Sequence, residues 1–591
     1  MEIADSCWRR GEEARIAGHA AAAAAAYRRT LALVPEFAPA HANLAMVLQA
    51  AGGRALGRAI ALLPDHPLLR FNLGNLLQAT GRVAEARSAF RQSLALAPAE
   101  AGAWLNLGFA VHGGGLLAGA IIADRRALAL APAYAQAWNN LANAWRDQGR
   151  IEDALAAYGQ ALALRADYAD ADRNRLCARL YLDDDDERAG GEARAFVARH
   201  RPLPAPALAW TPPEPERALR IGLLTSDLGD HPIGRNMAGF VAGRDRARTW
   251  LAVYDTAGRV EEASRWFRAR VDLWRSVAPL DDHIIAEVIR ADRIDVLVVL
   301  AGRFDKNRPL VAMARPAPVQ VAMHDGGPSG MGEGDDPAIA AWITDAVLHP
   351  LREGVGEGAG DRSGGDRLVR LPVFYNYPPP AHPPPARVPD GEGPVLGSFS
   401  NPAKLSAATL ATWGRILARL PDARLLLKYH AWYADPEVQG RVRAAIAGAG
   451  GDPGRLLFFQ GEAEIAEAHL QHYGRVDLAL DPFPFSGATT SFEALAMGVP
   501  VLTLPGRAAI GRTTTAILRP LGLDELVSVS QDDYVERASA LVRDRSRLAR
   551  LRREIPGRLA ASALLDGPGF AASLEAALRG LWRERCRKLD A

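Results

Sequence analysis

The chain has 591 residues and a formal net charge of +2, from 70 basic and 68 acidic side chains. That length calls for about three or four domains, and the near-neutral balance removes any electrostatic case for a nucleic-acid partner. Cys7, Cys177 and Cys586 lie far apart and out of metal-ligand spacing, so they form neither a disulfide framework nor a zinc site. No unbroken apolar run reaches the roughly 18 to 20 residues of a membrane-spanning helix. The alanine run Ala20 to Ala26 follows Glu12, Glu13 and Arg15, and reads as a helix rather than a signal-peptide core. The expected setting is a reducing cytoplasm.

The first third repeats itself. Asn72, Asn106, Asn140 and Asn174 are spaced 34 apart, and so are Gly81, Gly115 and Gly149, Pro64, Pro98 and Pro132, and Trp104 and Trp138. This period, with Pro closing each pair of amphipathic segments, is that of the tetratricopeptide repeat. Asn43 and Pro35 stand 29 before their counterparts, so one unit is expected to lack five residues in its second helix. About five units are expected between residues 8 and 180, stacked as a solenoid with an extended concave face. The repeated asparagine has two readings. It either bonds the neighbouring repeat or presents a ladder of amides that grips the main chain of an extended peptide.

From Tyr181 the pattern breaks. The aspartates of YLDDDDERAGG read as a solvated loop, and the Pro-rich piece to Glu216 as a semi-rigid linker. A new domain starts near Arg220 with the strand IGLLTS, then Trp250 to Tyr254, Ile294 to Leu300, Val319 to Met323 and Ala341 to Ile343. Strands alternating with helical segments predict a Rossmann-like sheet. No G-x-G-x-x-G follows the first strand, so a dinucleotide cofactor is not expected. Residues 352 to 394 hold two breaks, REGVGEGAGDRSGGD and NYPPPAHPPPARVPDGEG, the second of which reads as a linker between lobes. A second lobe follows from Val395 through Arg424 to Tyr429 and Leu456 to Phe459. It reaches VDLALDPFPFSGATTSFEALAMGVPVLTLP, a strand, a polar loop, a helix and a strand.

Several side chains in these loops suit phosphate chemistry. The helix entering at Thr489, Thr490 and Ser491 offers free amides and hydroxyls to an anion, and Thr490 with Glu493 has the spacing of a capping box. Lys404 follows a strand and the loop SFSNPA, where it would place a point charge on a phosphate. His231 sits in the first strand-loop beside Asp230 and Pro232 as a donor, base or stacking surface. Arg512 stands where it would meet a phosphate or an acid. His324 and Asp325 open the glycine-rich loop HDGGPSGMG, where backbone approaches a ligand closely. Spacing suggests no metal triad and no Ser-His-Asp arrangement.

Taken in order, the repeats, LRIGLLTSDLGDHPIGRNM, ARPAPVQV, the glycine-rich loop, GSFSNPAKLSAATLATWGRIL and LDPFPFSGATTSFEALAMGVPVLTLPG resemble the protein O-GlcNAc transferases of glycosyltransferase family 41 and their bacterial relatives. The resemblance covers residues about 10 to 580. It implies an α-solenoid followed by an α/β GT-B transferase of two Rossmann-like lobes. The domains would be 1–180 repeats, 181–217 linker, 218–378 first lobe, 379–394 linker and 395–591 nucleotide-sugar-binding lobe. The implied activity is inverting transfer of GlcNAc from UDP to Ser or Thr of a protein acceptor, with no metal and no cofactor beyond the nucleotide-sugar substrate. His231 matches a histidine facing the reaction centre, and Lys404, Thr489 and Thr490 match groups that hold the donor phosphates. Glu493 matches an acid on the ribose, and His469 a histidine stacked on the base. Asn43, Asn72, Asn106, Asn140 and Asn174 match the family's acceptor-binding ladder.

This sequence departs from the family near the sugar. Ala488 stands where a histidine precedes the two threonines, and HDGGPSGMG replaces a Gly-Thr-Ser-Gly loop. The runner-up reading is therefore a flagellin glycosyltransferase using a nonulosonic acid carried on CMP. A further alternative is a repeat scaffold with a non-catalytic second half.

Overall fold

A computed structural model describes residues 2–17, 19–48, 53–182, 185–200, 214–258, 262–304, 306–334, 337–351, 361–378, 393–459 and 466–590. It divides into two units, Met1–Ala166 and Asp167–Ala591. Among the described residues, no helix is long and apolar enough to cross a membrane.

The first unit consists of helix pairs: Glu2–Ile16 with Ala20–Leu33, Ala38–Leu48 with Gly53–Leu62, Pro67–Ala79 with Val83–Leu96, Ala101–Gly113 with Leu117–Leu130, and Ala135–Asp147 with Ile151–Leu164. The 34-residue register has local causes. Gly81, Gly115 and Gly149 join the helices of their pairs at φ of 76°, 76° and 80°, a left-handed conformation that a Cβ penalises. Trp104 and Trp138 each donate Nε1 to the carbonyl of the proline six residues before, at 2.8 and 3.0 Å, which ties the aromatic to the turn. Phe90 fills the space beside Gly74 so closely that a Cβ there would lie 2.5 Å from the ring. Gly53–Leu62 has 10 residues against 14 in Val83–Leu96, which is the shortened unit expected from the sequence.

The second unit opens with another helix pair, Ala169–Arg179 and Asp186–His200. The aspartate run is therefore not simply a solvated loop, because Asp186 begins a helix and is only 7% exposed. Its carboxylate lies 3.4 Å from His349 Nε2 and 3.7 Å from Arg512 Nη2, and accepts from the Ala509 amide. Burial raises this carboxyl, but His349, Arg512 and the amide outweigh it and hold it below the usual range. Most of the Pro-rich piece expected as a linker, 201–213, lies outside the described residues, as do 379–392 of the second expected linker.

The first sheet holds β1 (Leu219–Thr225), β2 (Thr249–Asp255), β3 (Leu273–Ser276), β4 (Val296–Leu300), β5 (Val319–Met323), β6 (Ala341–Asp345), β7 (Arg362–Ser363) and β8 (Asp366–Leu371), in the order β3-β2-β1-β4-β5-β6-β8-β7. All its pairings are parallel except β7 with β8. Its β4, VLVVL, is buried throughout, as both faces of a parallel sheet require. The second sheet holds β9 (Val395–Ser398), β10 (Arg424–Leu427), β11 (Leu456–Phe458), β12 (Leu478–Leu480) and β13 (Val501–Leu502), ordered β11-β10-β9-β12-β13 and parallel.

Two boundaries differ from the sequence reading. Asp366–Leu371, lying between the two breaks and not read as an element, is a strand paired with β6, because Leu368 and Leu371 are buried while Arg367 and Arg370 reach partners at the sheet edge. The last helix, Gly567–Asp590, packs on the first lobe against the helix Pro232–Gly243 and β8 rather than closing the second lobe. Gly239 and Gly567 let the two backbones approach, with a Cβ on Gly239 falling 3.0 Å from the Gly567 Cα. Trp582 Nε1 donates to the Glu214 carbonyl at 3.3 Å, and Arg583 pairs with Glu216 at 2.6 Å.

Candidate active site

In each sheet the strand order reverses at the first strand of the lobe. β1 lies between β2 and β4, and β9 between β10 and β12. Ligands of open α/β sheets bind outside the carboxyl ends of the strands at such switch points. The loops after β1, β9 and β12 carry His231, Lys404 and Thr489–Thr490, and these four side chains line one cavity of about 360 Å3 between the two lobes.

Lys404 ends a tight turn, Pro402–Lys404, that Asn401 caps by accepting from the Ala403 amide at 2.8 Å. Its Nζ donates to the Ser486 carbonyl at 2.8 Å and lies 4.3 Å from the centre of the Phe485 ring. The lysine thus spans from the loop after β9 to the loop after β12. Burial pushes its amine down to about 8, with nearby Asp481 acting in the opposite direction. Asp481 is itself buried, and accepts from the Gly487 amide at 2.6 Å and from Thr503 Oγ1 at 2.7 Å. Gly487 is required at this fold-back, since a Cβ there would sit 2.3 Å from Ser491 Oγ.

The helix Thr489–Ala496 starts behind that loop, and its N-cap is Ala488, with no side-chain cap. The capping box expected from Thr490 and Glu493 does not form. Glu493 turns instead to Arg235 Nη1 at 2.8 Å and His469 Nε2 at 3.2 Å, so its charge is met across the lobes. The first helical bond runs from the Phe492 amide to the Ala488 carbonyl at 2.9 Å, which leaves the amides of Thr489, Thr490 and Ser491 with no partner inside the helix. Partial positive charge there faces the same cavity as the Lys404 ammonium.

On the opposite wall His231 caps the helix Pro232–Gly243, accepting at Nδ1 from the Ile233 amide at 3.3 Å. In the neutral ring this leaves the proton on Nε2. Asp230 pairs with Arg235 at 2.9 Å rather than with His231. His469 accepts from Lys428 Nζ at Nδ1, 2.9 Å away, and bonds Glu493 through Nε2. Glu493 and His469 form a polar group with Arg235 and Lys428 beside the main cavity, not among its lining residues. Of its two readings, Arg512 meets an acid. It donates to the Leu348 carbonyl at 2.7 Å and stands near Asp186, holding the two lobes together.

Arg235 and Lys428 were not singled out in the sequence. Arg235 lies one helical turn after His231 and so faces the same way, and Lys428 is a charged residue at the carboxyl end of β10. Among the described residues, no cluster of three His, Cys, Asp or Glu forms a metal-binding group.

The predicted asparagines are partly exposed on the first helices of their pairs. Asn106 Nδ2 donates to Asn75 Oδ1 at 2.7 Å and Asn43 Nδ2 to Glu12 Oε1 at 2.5 Å, both on a neighbouring pair, while Asn72 Nδ2 is buried with no partner among the described residues. Part of the ladder therefore bonds the adjacent repeat.

Two Rossmann-like sheets meeting at their switch points define a glycosyltransferase of the GT-B class. Residues 387–574 match the family model Glycosyl transferase family 41, and 67–100 and 135–168 match tetratricopeptide-repeat models. A solved O-GlcNAc transferase mutant of Thermobaculum terrenum is 33% identical, with a TM-score of 0.79 over 88% of this chain and 98% of that one. The Solanum lycopersicum protein named probable UDP-N-acetylglucosamine–peptide N-acetylglucosaminyltransferase SPINDLY is 31% identical over 426 residues, which is 70% of this chain and 44% of that protein. The Arabidopsis thaliana protein SEC, with the same enzymatic name, is 24% identical over 388 residues, 63% of this chain and 38% of that protein. The chain thus spans less than half the length of these curated relatives. It belongs to glycosyltransferase family 41.

Proposed function

We propose that this chain is a cytoplasmic protein O-glycosyltransferase that moves a GlcNAc-like sugar from UDP to a Ser or Thr hydroxyl of a protein acceptor, inverting the anomeric centre and using no resident metal. The observation that carries this reading is the shared cavity, with Lys404 and the amides of Thr489 and Thr490 on one wall and His231 on the other. As the glycosidic bond breaks, its electron pair goes to the nucleotide diphosphate, where negative charge grows. Lys404 Nζ and the helix N-terminus meet that charge without rearrangement, and so stabilise the transition state more than the ground state. The acceptor oxygen forms the new bond from the opposite face of the sugar. Its proton passes to an oxygen of the leaving diphosphate, because His231 Nε2 is already protonated and serves as a donor. Glu493, fixed by Arg235 and His469, suits the ribose hydroxyls as an acceptor. The repeats hold the acceptor polypeptide along the partly exposed asparagines Asn43, Asn72, Asn106, Asn140 and Asn174.

Thermal melting with UDP, CMP and their sugar conjugates, followed by mass spectrometry of candidate acceptor proteins, tests the reading. A ligand at a hundred times its Kd adds about 2.7 kcal/mol, so UDP is expected to raise the melting temperature by several degrees and CMP to leave it unmoved. UDP-GlcNAc is expected to yield an O-linked product. A shift with CMP alone would favour the nonulosonic-acid reading, and a nucleotide shift with no product on any protein would favour the scaffold.

A further inference from the structure

We infer that His324 reads the donor sugar, and that this sugar is uncharged: the imidazole at the end of β5 stands in the first-lobe wall of the cavity as a hydrogen-bonding partner for a hydroxyl or amide of the sugar. The inference rests on the transferase reading above and names the substrate class of the same site.

Three independent features converge on His324. It lines the cavity opposite Lys404, its ring centre 4.4 Å from Phe374 and 6.1 Å from Tyr375. The sugar is joined to the phosphate that the second-lobe wall holds, so it must project toward this first-lobe wall. His324 also takes φ = 61°, and Ala301 at the end of the adjacent β4 takes φ = 51° and lines the same cavity. A residue with a Cβ adopts this left-handed backbone at a cost, and such residues cluster where a ligand is positioned. Finally, its Nε2 is buried with no hydrogen-bond partner among the described residues. A buried polar atom without a partner is costly unless a ligand supplies one.

The class of sugar follows from charge. Burial pushes the imidazole down to about 3, so the ring is neutral at any working pH and offers one donor and one acceptor. That pair fits a hydroxyl or an acetamide and gives no cation for a carboxylate. Asp325, next in the chain, is held by the Arg303 backbone amide at 2.8 Å and its Nε at 3.1 Å. Among the described residues lining the cavity, Lys404 is the one Lys or Arg, and the diphosphate occupies it. A nonulosonic acid would bring its carboxylate against Phe374, Tyr375 and Trp342, apolar faces that suit the C–H face of a pyranose instead.

The test compares wild type, His324→Phe and His324→Asn. Phenylalanine keeps a ring and removes both nitrogens. Asparagine keeps a donor and an acceptor and tolerates the left-handed backbone better than most residues, so it remains informative if the phenylalanine variant folds poorly. Calorimetric binding of UDP and of UDP-GlcNAc is measured for each, together with turnover. UDP affinity is expected to stay within about twofold in both variants, while His324→Phe loses about tenfold or more in UDP-GlcNAc affinity and in kcat/KM, the size of one lost hydrogen bond. His324→Asn is expected to lose less. Equal binding of UDP-GlcNAc by wild type and His324→Phe would overturn the inference while leaving the transferase reading intact. Wild-type preference for a CMP-linked acidic sugar would overturn the uncharged class directly. Failure of wild type to bind UDP would instead sink the transferase reading first.

Discussion

The two walls of the cleft are built differently. The second-lobe wall is electrostatic, with one ammonium, one helix N-terminus and a set of hydroxyls behind a buried aspartate. The first-lobe wall is an aromatic surface carrying three histidines and the buried Asp325, with no lysine or arginine among its described lining residues. On the proposed reading, holding the phosphate and reading the sugar are separate tasks given to separate sheets. Likeness to the family and departure from it occur on both walls: His231 matches the family on the first-lobe wall, and Ala488 departs from it beside Thr489 on the second-lobe wall.

Breaking the electrostatic wall is expected to have the largest effect. Lys404→Ala should keep its fold and turn over about 100- to 1000-fold more slowly, the usual cost of removing one preorganised charge at a developing anion. Steady-state kinetics check this, and near-normal turnover would take Lys404 out of the mechanism.

The same wall should show itself in pH dependence. Burial lowers the Lys404 amine to about 8, so the free enzyme loses the ammonium as pH rises through that value. The profile of kcat/KM should therefore fall about tenfold per unit above roughly pH 8. The limb in kcat should move to higher pH, because a bound diphosphate favours the charged lysine. Identical limbs in both profiles, or none up to pH 10, would contradict this assignment.

A smaller effect is expected where the walls are bridged. Glu493→Ala removes the partner of Arg235 and His469 and should weaken UDP by about tenfold, in keeping with hydrogen bonds to charged groups. Arg235→Ala in that background should add less than it does alone, because the two side chains act as a pair. Strict additivity in the double-mutant cycle would show that the bridge is not coupled to binding.

The smallest effect belongs to the repeats. Asn140→Ala should raise the KM for a protein acceptor a few-fold with donor affinity unchanged. Asn106→Ala should also lower the melting temperature, since it breaks the bond to Asn75, worth about 1 kcal/mol. A melting loss in both variants with no change in acceptor KM would make the asparagines structural.

What could be read from the chain before its structure follows the same division. The repeat period was legible because successive units restate local constraints: a left-handed glycine at 81, 115 and 149, and a tryptophan tied to a proline carbonyl at 104 and 138. The buried parallel strand β4 was legible from an unbroken apolar run and β5 from an apolar run interrupted by Gln320, and Lys404 and Thr489 from their places just after strands. Four features depended on distant partners and were missed or misread. Asp186 looks solvated until His349 and Arg512 are brought to it. β8, between the two sequence breaks, goes unread until β6 pairs with it. Glu493 looks like a cap until Arg235 arrives from the other lobe. The final helix looks like the end of the second lobe until Gly239 opens a place for it on the first.

The central claim is that Lys404 and the helix N-terminus at Thr489 hold the donor diphosphate. Calorimetric binding of UDP and of uridine to wild type and to Lys404→Ala tests it most directly, because the two ligands share the base and ribose and differ only in phosphate. The account predicts that UDP binding weakens at least about tenfold in the variant, in line with the loss of a charge-assisted hydrogen bond, while uridine binding stays the same. Equal loss for both ligands, or no loss for UDP, would contradict it.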